Sequence, residues 1–169
     1  MALLKILRYP DERLHRVAAK VPEVTDETRT LVHNMAETMY AAPGIGLAAT
    51  QVDVHQRVIV IDVSDTHDQL QVLINPEITW SSDEKREHEE GCLSLPEYFA
   101  EVVRPEAIRV KFIDRDGAEQ ELEADGILAT CIQHEMDHLR GILFVDHVSA
   151  IKRGIILRKL KKAKKLAAA

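Results

Sequence analysis

The sequence has 169 residues, of which 46% are apolar and 30% charged, which is typical of one globular domain spanning residues 1–169 and excludes disordered or fibrous classes. The net charge of −6 argues against general or sequence-specific nucleic-acid binding by the body of the protein. No apolar run approaches the roughly 18 residues of a spanning helix, and Pro10 follows the start too closely for a secretory signal, so we expect a cytoplasmic protein without a membrane partner.

The N-terminal half is predicted to contain one amphipathic helix followed by strands. From Thr25 to Tyr40, apolar residues recur at helical spacing behind a Thr or Asp cap candidate, and Pro43 and Gly44 mark the end of the helix. The β-branched runs at residues 58–63 and 70–74 are typical of short strands.

The C-terminal half is predicted to contain a hairpin and two helices. Residues 108–113 alternate as in a half-buried strand, and the turn at 114–117 leads into a second strand at 118–123. Apolar residues then recur at helical spacing between Asp125 and Gly141, and a third helix is expected at 151–166. This order of elements predicts an α+β fold.

The third predicted helix is strongly basic. Residues 152–165 contain eight Lys or Arg and no acid, so the rest of the chain must carry −14 to give the net charge of −6. Such a segment is either a solvated helix face or a contact for a phosphate-rich partner.

The second predicted helix contains an HExxH motif formed by His134, Glu135 and His138. Residues four apart project from the same face of a helix, so the two imidazoles can bind one ion while Glu135 lies beside it as a base. A chance pair of surface histidines would explain neither the helical context nor the glutamate. The motif therefore predicts a catalytic metal site.

A catalytic site of this kind needs a third protein ligand. The metzincin pattern fails because Phe144 stands where its third histidine belongs, and a thermolysin-like site is disfavoured because Asp146 is the only acid after His138. Of the two thiols, Cys131 is seven residues from His138, about 10 Å along a helix, which favours a core residue lining a pocket wall. Cys92 then remains as a candidate.

Three blocks resemble the peptide deformylase family and occur in that family's order. They are Gly-Ile-Gly-Leu-Ala-Ala-Thr-Gln at 44–51, Glu-Gly-Cys-Leu-Ser at 90–94 and Gln-His-Glu-Met-Asp-His at 133–138. The resemblance extends from about residue 10 to the region of residue 146. It implies small mixed or antiparallel sheets surrounding a central HExxH helix, with one helix N-terminal and another C-terminal to them.

The resemblance also implies the site chemistry. Cys92, His134 and His138 would bind one divalent ion, Fe²⁺ in the cell, with Zn²⁺, Ni²⁺ or Co²⁺ able to replace it. Glu135 would take the proton of a water held at the ion, while the Gln51 amide and the Leu93 backbone N–H would stabilise the oxyanion. The implied reaction removes the formyl group from the formyl-methionine of nascent polypeptides and releases formate.

Further positions match substrate-binding or bracing residues of the family. Glu90 with Arg104 would brace the strand that carries the metal ligand, and Phe99 stands where some relatives have a basic residue, which leaves the peptide preference open. The basic C-terminal helix resembles the extension by which bacterial deformylases contact the ribosome. Ile45 and Ile127 could equally be core residues. The residues assigned to substrate binding are Ile45, Gly46, Glu90, Gly91, Phe99, Ile127 and Cys131.

Parts of the sequence also match three alternative functions. The glycines at 44 and 46 resemble a dinucleotide-binding fingerprint, but a helix precedes them and a strand follows, the reverse of what that motif requires. A small HExxH zinc metallopeptidase would share the histidines and the glutamate but has no need of Gln51 or Cys92. A structural-zinc module associated with the ribosome would need four protein ligands around the ion.

Overall fold

The computed structural model describes residues 3–168, with side chains through residue 163. Short 3₁₀ helices occur at Glu12–His15, Ala49–Val52 and Phe144–His147. The main elements in chain order are α1 (Asp26–Ala41), β1 (Gly46–Ala48), β2 (Val58–Ile61), β3 (Gln71–Ser81), β4 (Lys85–Cys92), β5 (Leu95–Pro105), β6 (Ala107–Ile113), β7 (Glu119–Asp125), α2 (Gly126–Leu139) and α3 (Ala150–Ala168).

Helix α1 begins and ends as its sequence predicts. Thr25 and Thr28 form a reciprocal capping box, which satisfies two backbone N–H groups that the first turn would leave without partners. The buried face carries Val32, Met35 and Met39 at helical spacing. The predicted N-terminal helix is confirmed.

Five strands form an antiparallel sheet in the order β1-β2-β3-β6-β7. The predicted hairpin is present as β6 and β7, and its turn places Gly117 at φ +85°, a conformation that favours glycine. Strand β1 was not predicted, because the pattern of residues 44–51 does not indicate a strand. It pairs with β2 from Gly46 opposite Ile61 to Ala48 opposite Ile59.

Strand β3 is longer than its apolar pattern predicts. The sequence indicates a strand at 70–74, whereas the observed strand continues to Ser81 through a register shift between Ile74 and Glu77. Pro76 has no N–H to donate to a neighbouring strand, and proline within a sheet is tolerated at such an irregularity. Asn75 has φ 51°, and its side chain exchanges two hydrogen bonds of 2.8 Å with the backbone of Val21.

Strands β4 and β5 form a separate antiparallel pair that the sequence analysis did not predict. Six consecutive polar residues, 85–90, hide any alternation of apolar and polar positions in β4. The inward face is carried by β5, where Ala100, Val102 and Arg104 are buried at every second position. A register shift between Gly91 and Cys92 interrupts the pairing before the turn that leads to β5.

Helix α2 packs against β1, β2, β6 and β7 of the larger sheet and against β5 of the smaller pair. All its residues from Ala129 to Leu139 are buried, including the polar ones. Ile132 and Leu139 join the apolar core of the five-stranded sheet. The prediction of an α+β fold with antiparallel sheets and helices at both ends is confirmed.

Helix α3 packs through Ile156 against a cluster that contains Tyr9, Leu95 and Phe144. The observed helix agrees with the one predicted at 151–166, although the side chains of Lys164 and Lys165 lie outside the described residues, as do residues 1, 2 and 169 of the predicted domain. Within the described part of the chain, every helix is too short or too polar to cross a bilayer.

Candidate metal centre and substrate cavity

Helix α2 brings His134, Glu135 and His138 into one buried site. Because four residues make slightly more than one turn, both histidines project from the same face, and their ring centroids lie 5.0 Å apart. His138 is fully buried. Desolvation holds the pKa of His138 well below its ordinary value, so its imidazole is neutral and able to act as a ligand.

Cys92, the last residue of β4, completes a group of three candidate ligands. Its Sγ lies 3.3 Å from His138 Nε2, and the ligand atoms of Cys92, His134 and His138 all lie within 4.8 Å of one another. One sulfur and two imidazole nitrogens at such separations suit tetrahedral coordination at about 2.0–2.3 Å from a divalent ion. These residues therefore fit a metal that keeps a position open for water or substrate.

Cys131 lies apart from this group. It is buried, and its Sγ is directed toward the backbone oxygen of Ile45 at 3.8 Å. Burial, with the nearby charge of Glu135, raises the pKa of Cys131 well above its ordinary value, so it remains a thiol. The placement agrees with a pocket-wall residue rather than a ligand.

His134 is held by a buried ion pair within the two-stranded sheet, between Glu90 on β4 and Arg104 on β5. Arg104 on β5 donates to Glu90 through Nε at 2.6 Å and Nη2 at 2.9 Å, while Glu90 Oε1 also lies 2.8 Å from His134 Nδ1. Burial opposes the charge on Glu90, but the hydrogen bonds from His134 and Arg104 outweigh it and lower the pKa of Glu90 to about 2. An ionised carboxylate can only accept, so Nδ1 carries the proton and Nε2 is left for the ion.

Glu135 points into the cavity without a structural partner of its own. Among the described residues, none forms a hydrogen bond with its buried Oε1. Burial, with the charge of Glu90, raises the pKa of Glu135 to about 7, which suits a group that takes and returns a proton near neutrality. A divalent ion beside it would oppose that rise. A Cβ on Gly46 would meet Glu135 Oε2 at 2.5 Å, so only glycine allows this approach.

Gln51 is oriented by both ends of its amide. Its Oε1 accepts from the backbone N–H of Ala48 at 2.9 Å, and its Nε2 donates to Ser94 Oγ at 3.0 Å and to Cys92 Sγ at 3.4 Å. With Oε1 occupied, the amide must direct its N–H groups toward the turn between β4 and β5. Leu93 lies in that turn, next to Cys92.

A cavity of about 850 Å³ joins these groups. Twelve of the thirteen residues predicted for the site line it; the exception is His138, which is buried beneath the others. Glu90 lines the cavity, and both of its carboxylate oxygens already have hydrogen-bond partners in Arg104 and His134. The predicted residues on the wall are Ile45, Gly46, Gln51, Glu90, Gly91, Cys92, Leu93, Phe99, Ile127, Cys131, His134 and Glu135.

Some residues of this region were not predicted from the sequence. Ser94 receives the Gln51 amide, and Asp137 accepts from Arg104 Nη1 at 2.8 Å. The N-terminal segment, including Lys5 and Arg8, also lines the cavity. A charged residue within the predicted HExxH helix is the only local signal for Asp137, and nothing local indicates that the N-terminus reaches the cavity.

Comparison with known proteins gives one consistent result. The family model described as Polypeptide deformylase matches residues 3–154. Peptide deformylase 2 of Nitrosomonas europaea is 64% identical over 162 residues, covering 96% of this chain and 87% of that protein. The crystal structure of peptide deformylase from Ehrlichia chaffeensis is similar at a TM-score of 0.93 and 39% identity, covering 99% of this chain and 100% of that one. A crystal structure of peptide deformylase from the same organism in complex with actinonin is similar at a TM-score of 0.91 and 42% identity, covering 96% of this chain and 98% of that one.

Proposed function

The chain belongs to the polypeptide deformylase family, and from that premise we propose how its own residues bind the metal and carry out the reaction. It is a peptide deformylase, a hydrolase that removes formyl groups from nascent peptides. The observation that carries the proposal is the convergence of one thiol and two imidazoles beside Glu135, at a cavity whose wall includes Cys92, His134 and Glu135.

Cys92, His134 and His138 would hold one divalent ion. The mixed sulfur and nitrogen donor set suits Fe²⁺ in the reducing cytoplasm, where we place the protein, and equally accepts Zn²⁺, Ni²⁺ or Co²⁺. When bound, the ion supplies Lewis acidity, which lowers the pKa of water and polarises the formyl oxygen.

Helix α2 acts as the central element of one domain spanning residues 1–169, with the five-stranded sheet and β5 packed around it.

Glu135 moves the proton. It accepts a proton from the attacking water as the water oxygen bonds to the formyl carbon, and its free Oε1 is available for this step. The C–N bond then breaks, and Glu135 returns the proton to the departing amine. The products are formate and a free N-terminal methionine, so atoms and protons balance.

Gln51 and Leu93 stabilise the charge that develops on the formyl oxygen. Gln51 Nε2 lies 3.4 Å from Cys92 Sγ, so one of its N–H groups is directed at the position next to the metal ligands. The backbone N–H of Leu93 adjoins the same cysteine. Donors that are fixed before the reaction are worth several kcal/mol to such an oxyanion. Ser94 holds the second Gln51 N–H and so prevents the amide from rotating.

The methionine side chain would occupy the apolar part of the cavity. Ile45 and Ile127 lie on its wall and are each 44% exposed, which is unusual for core isoleucines and suits residues that a ligand covers. Gly91 is packed against the Phe99 ring, since a Cβ there would meet Phe99 Cε1 at 2.5 Å. Phe99 thus occupies a rim position beside the peptide that follows the methionine.

The central test uses protein purified without oxygen and two substrates, a formyl-Met tripeptide and its unformylated counterpart. Formate release from the first substrate only, with the peptide bonds intact, is the expected result. Internal cleavage would instead identify a small HExxH metallopeptidase. A tightly held metal without either product would identify a structural-zinc module and refute the proposal.

We also propose that α3 contacts the ribosome through its cations. Its described Lys and Arg residues are exposed except Arg153, which lies 3.7 Å from Asp146. Association with RNA phosphates through such a surface must weaken as salt rises, because bound counterions are released. The exposed cations are Lys152, Arg158, Lys159, Lys161 and Lys162.

Neutralising part of this surface should reduce ribosome binding and leave tripeptide deformylation unchanged. The test variant combines Lys159→Gln, Lys161→Gln and Lys162→Gln, and we expect its affinity in ribosome co-sedimentation at low salt to fall about tenfold or more. The matched control replaces three exposed lysines outside α3, at positions 20, 85 and 111. Equal losses in both triple variants would contradict a specific role for α3.

A further inference from the structure

Asp137 lies between the metal-binding histidines in sequence but has no contact with the cavity. It is 3% exposed, and it does not belong to the cavity wall. Its carboxylate instead receives Arg104 Nη1 at 2.8 Å and His147 Nε2 at 2.9 Å on Oδ2, and Arg140 Nη2 on Oδ1. Three cationic or potentially cationic groups therefore surround this one buried acid.

The position of Asp137 in α2 is unfavourable for an acid by local criteria. It lies in the last turn of a helix that ends at Leu139, where the partial negative charge of the helix dipole disfavours a carboxylate. Burial adds a desolvation cost. Its contacts with Arg104, His147 and Arg140 must offset both effects.

Arg104 is the contact that leads to the metal site. Its Nε and Nη2 form a two-point contact with Glu90, and its remaining Nη1 is bonded to Asp137. The planar guanidinium is thus held on both sides. Glu90 Oε1, which accepts from Arg104 Nη2, is also the atom that lies 2.8 Å from His134 Nδ1.

We propose that Asp137 is a positioning residue for the metal site, which acts through Arg104 and Glu90 to hold His134 in its ligand orientation. The inference rests on the proposed role of Cys92, His134 and His138 as metal ligands. Without the Asp137 carboxylate, Arg104 loses the third of its hydrogen bonds, and the Glu90 carboxylate loses its fixed plane. His134 would then spend less time with Nε2 directed toward the ion.

The test measures Zn²⁺ affinity by competition with a chromophoric chelator, which requires no catalytic activity. Asp137→Asn keeps the volume and one acceptor oxygen, so we expect about tenfold weaker binding, and Asp137→Ala should approach a hundredfold. The visible spectrum of the Co²⁺ form, which reports ligand geometry, should change in the same order. Arg104→Lys keeps the charge but cannot reach both carboxylates, and it provides a second variant should the Asp137 variants not fold.

The matched control is Asp62→Asn. Asp62 is equally buried and accepts hydrogen bonds from Tyr40 and Ser64, but it does not contact the metal ligands. The Asp62→Asn substitution should lower the melting temperature of the metal-free protein without changing its Zn²⁺ affinity. Unchanged Zn²⁺ affinity in the folded Asp137 variants would overturn the inference, whereas absence of Zn²⁺ binding by the unmodified protein would overturn the ligand assignment itself.

A double-mutant cycle tests the route. If Asp137 acts through Glu90, then Asp137→Asn should have little further effect on Zn²⁺ affinity when Glu90 is already replaced by glutamine. Additive losses from the two substitutions would mean that Asp137 acts on the site by another path, and they would contradict the proposed chain of contacts.

Discussion

Replacing Glu135 with glutamine should reduce formate release by about 10²–10⁴-fold and leave the metal in place. Glutamine has the same shape but cannot accept a proton from water, so the attacking group is not activated and the amine departs without its proton. Glu135 is not one of the three candidate ligands, and its Oε1 has no partner among the described residues. The measurement is kcat/KM on a formyl-Met tripeptide together with metal content per chain.

Glu123→Gln is the matched control for this substitution. Glu123 lies on β7, is 71% exposed and pairs with Arg109 at 2.7 Å on the protein surface. Its replacement should leave both activity and metal content unchanged. Full activity in Glu135→Gln would remove Glu135 from the reaction, and loss of metal in that variant would make it a ligand.

Cys92→Ser should lose the metal, and deformylation with it. A serine hydroxyl is a harder and much weaker ligand than a thiolate, so the ion would be left with two imidazoles, and its affinity should fall by about a hundredfold or more. Since the metal supplies the Lewis acidity of the reaction, activity should fall in parallel. Metal content after desalting and formate release at fixed metal concentration measure the two effects.

Cys131→Ser provides the same chemical change at the second cysteine. Cys131 Sγ is directed at the Ile45 backbone oxygen, outside the group of ligand atoms, so this variant should retain its metal. Any change in its kinetics should be in KM, because the residue belongs to the cavity wall. Metal loss in Cys131→Ser with retention in Cys92→Ser would reverse the ligand assignment.

The amino-acid sequence predicted the features that depend on neighbours in the chain. The HExxH histidines share a face because of helical spacing alone, and the cap at Thr25 satisfies groups within its own turn. The hairpin of β6 and β7 follows from alternation and a glycine turn. Elimination of other ligands left Cys92 as a candidate, and the three family motifs assigned it the ligand role and added Gln51 and Leu93, which no local pattern could connect with α2.

Strands β4 and β5 could not be predicted in this way. A strand of mostly charged residues is stabilised by its cross-strand partners and by the packing of the opposite strand, not by its own propensity. The same reason applies to β1, whose three residues are a strand only because β2 lies beside them.

The sequence by itself therefore predicted the HExxH helix, the chemistry of its candidate ligands and the order of the elements other than β1, β4 and β5, because these depend on spacing along the chain and on residue type. Only the tertiary structure decided how Glu90, Arg104 and Asp137 connect two strands and a helix around His134, which Gln51 atoms are occupied and which segments enclose the cavity. Apart from the bond between Ala48 and Gln51, these contacts join residues 14 to 44 positions apart, and their geometry exists only when the sheets and α2 have packed together.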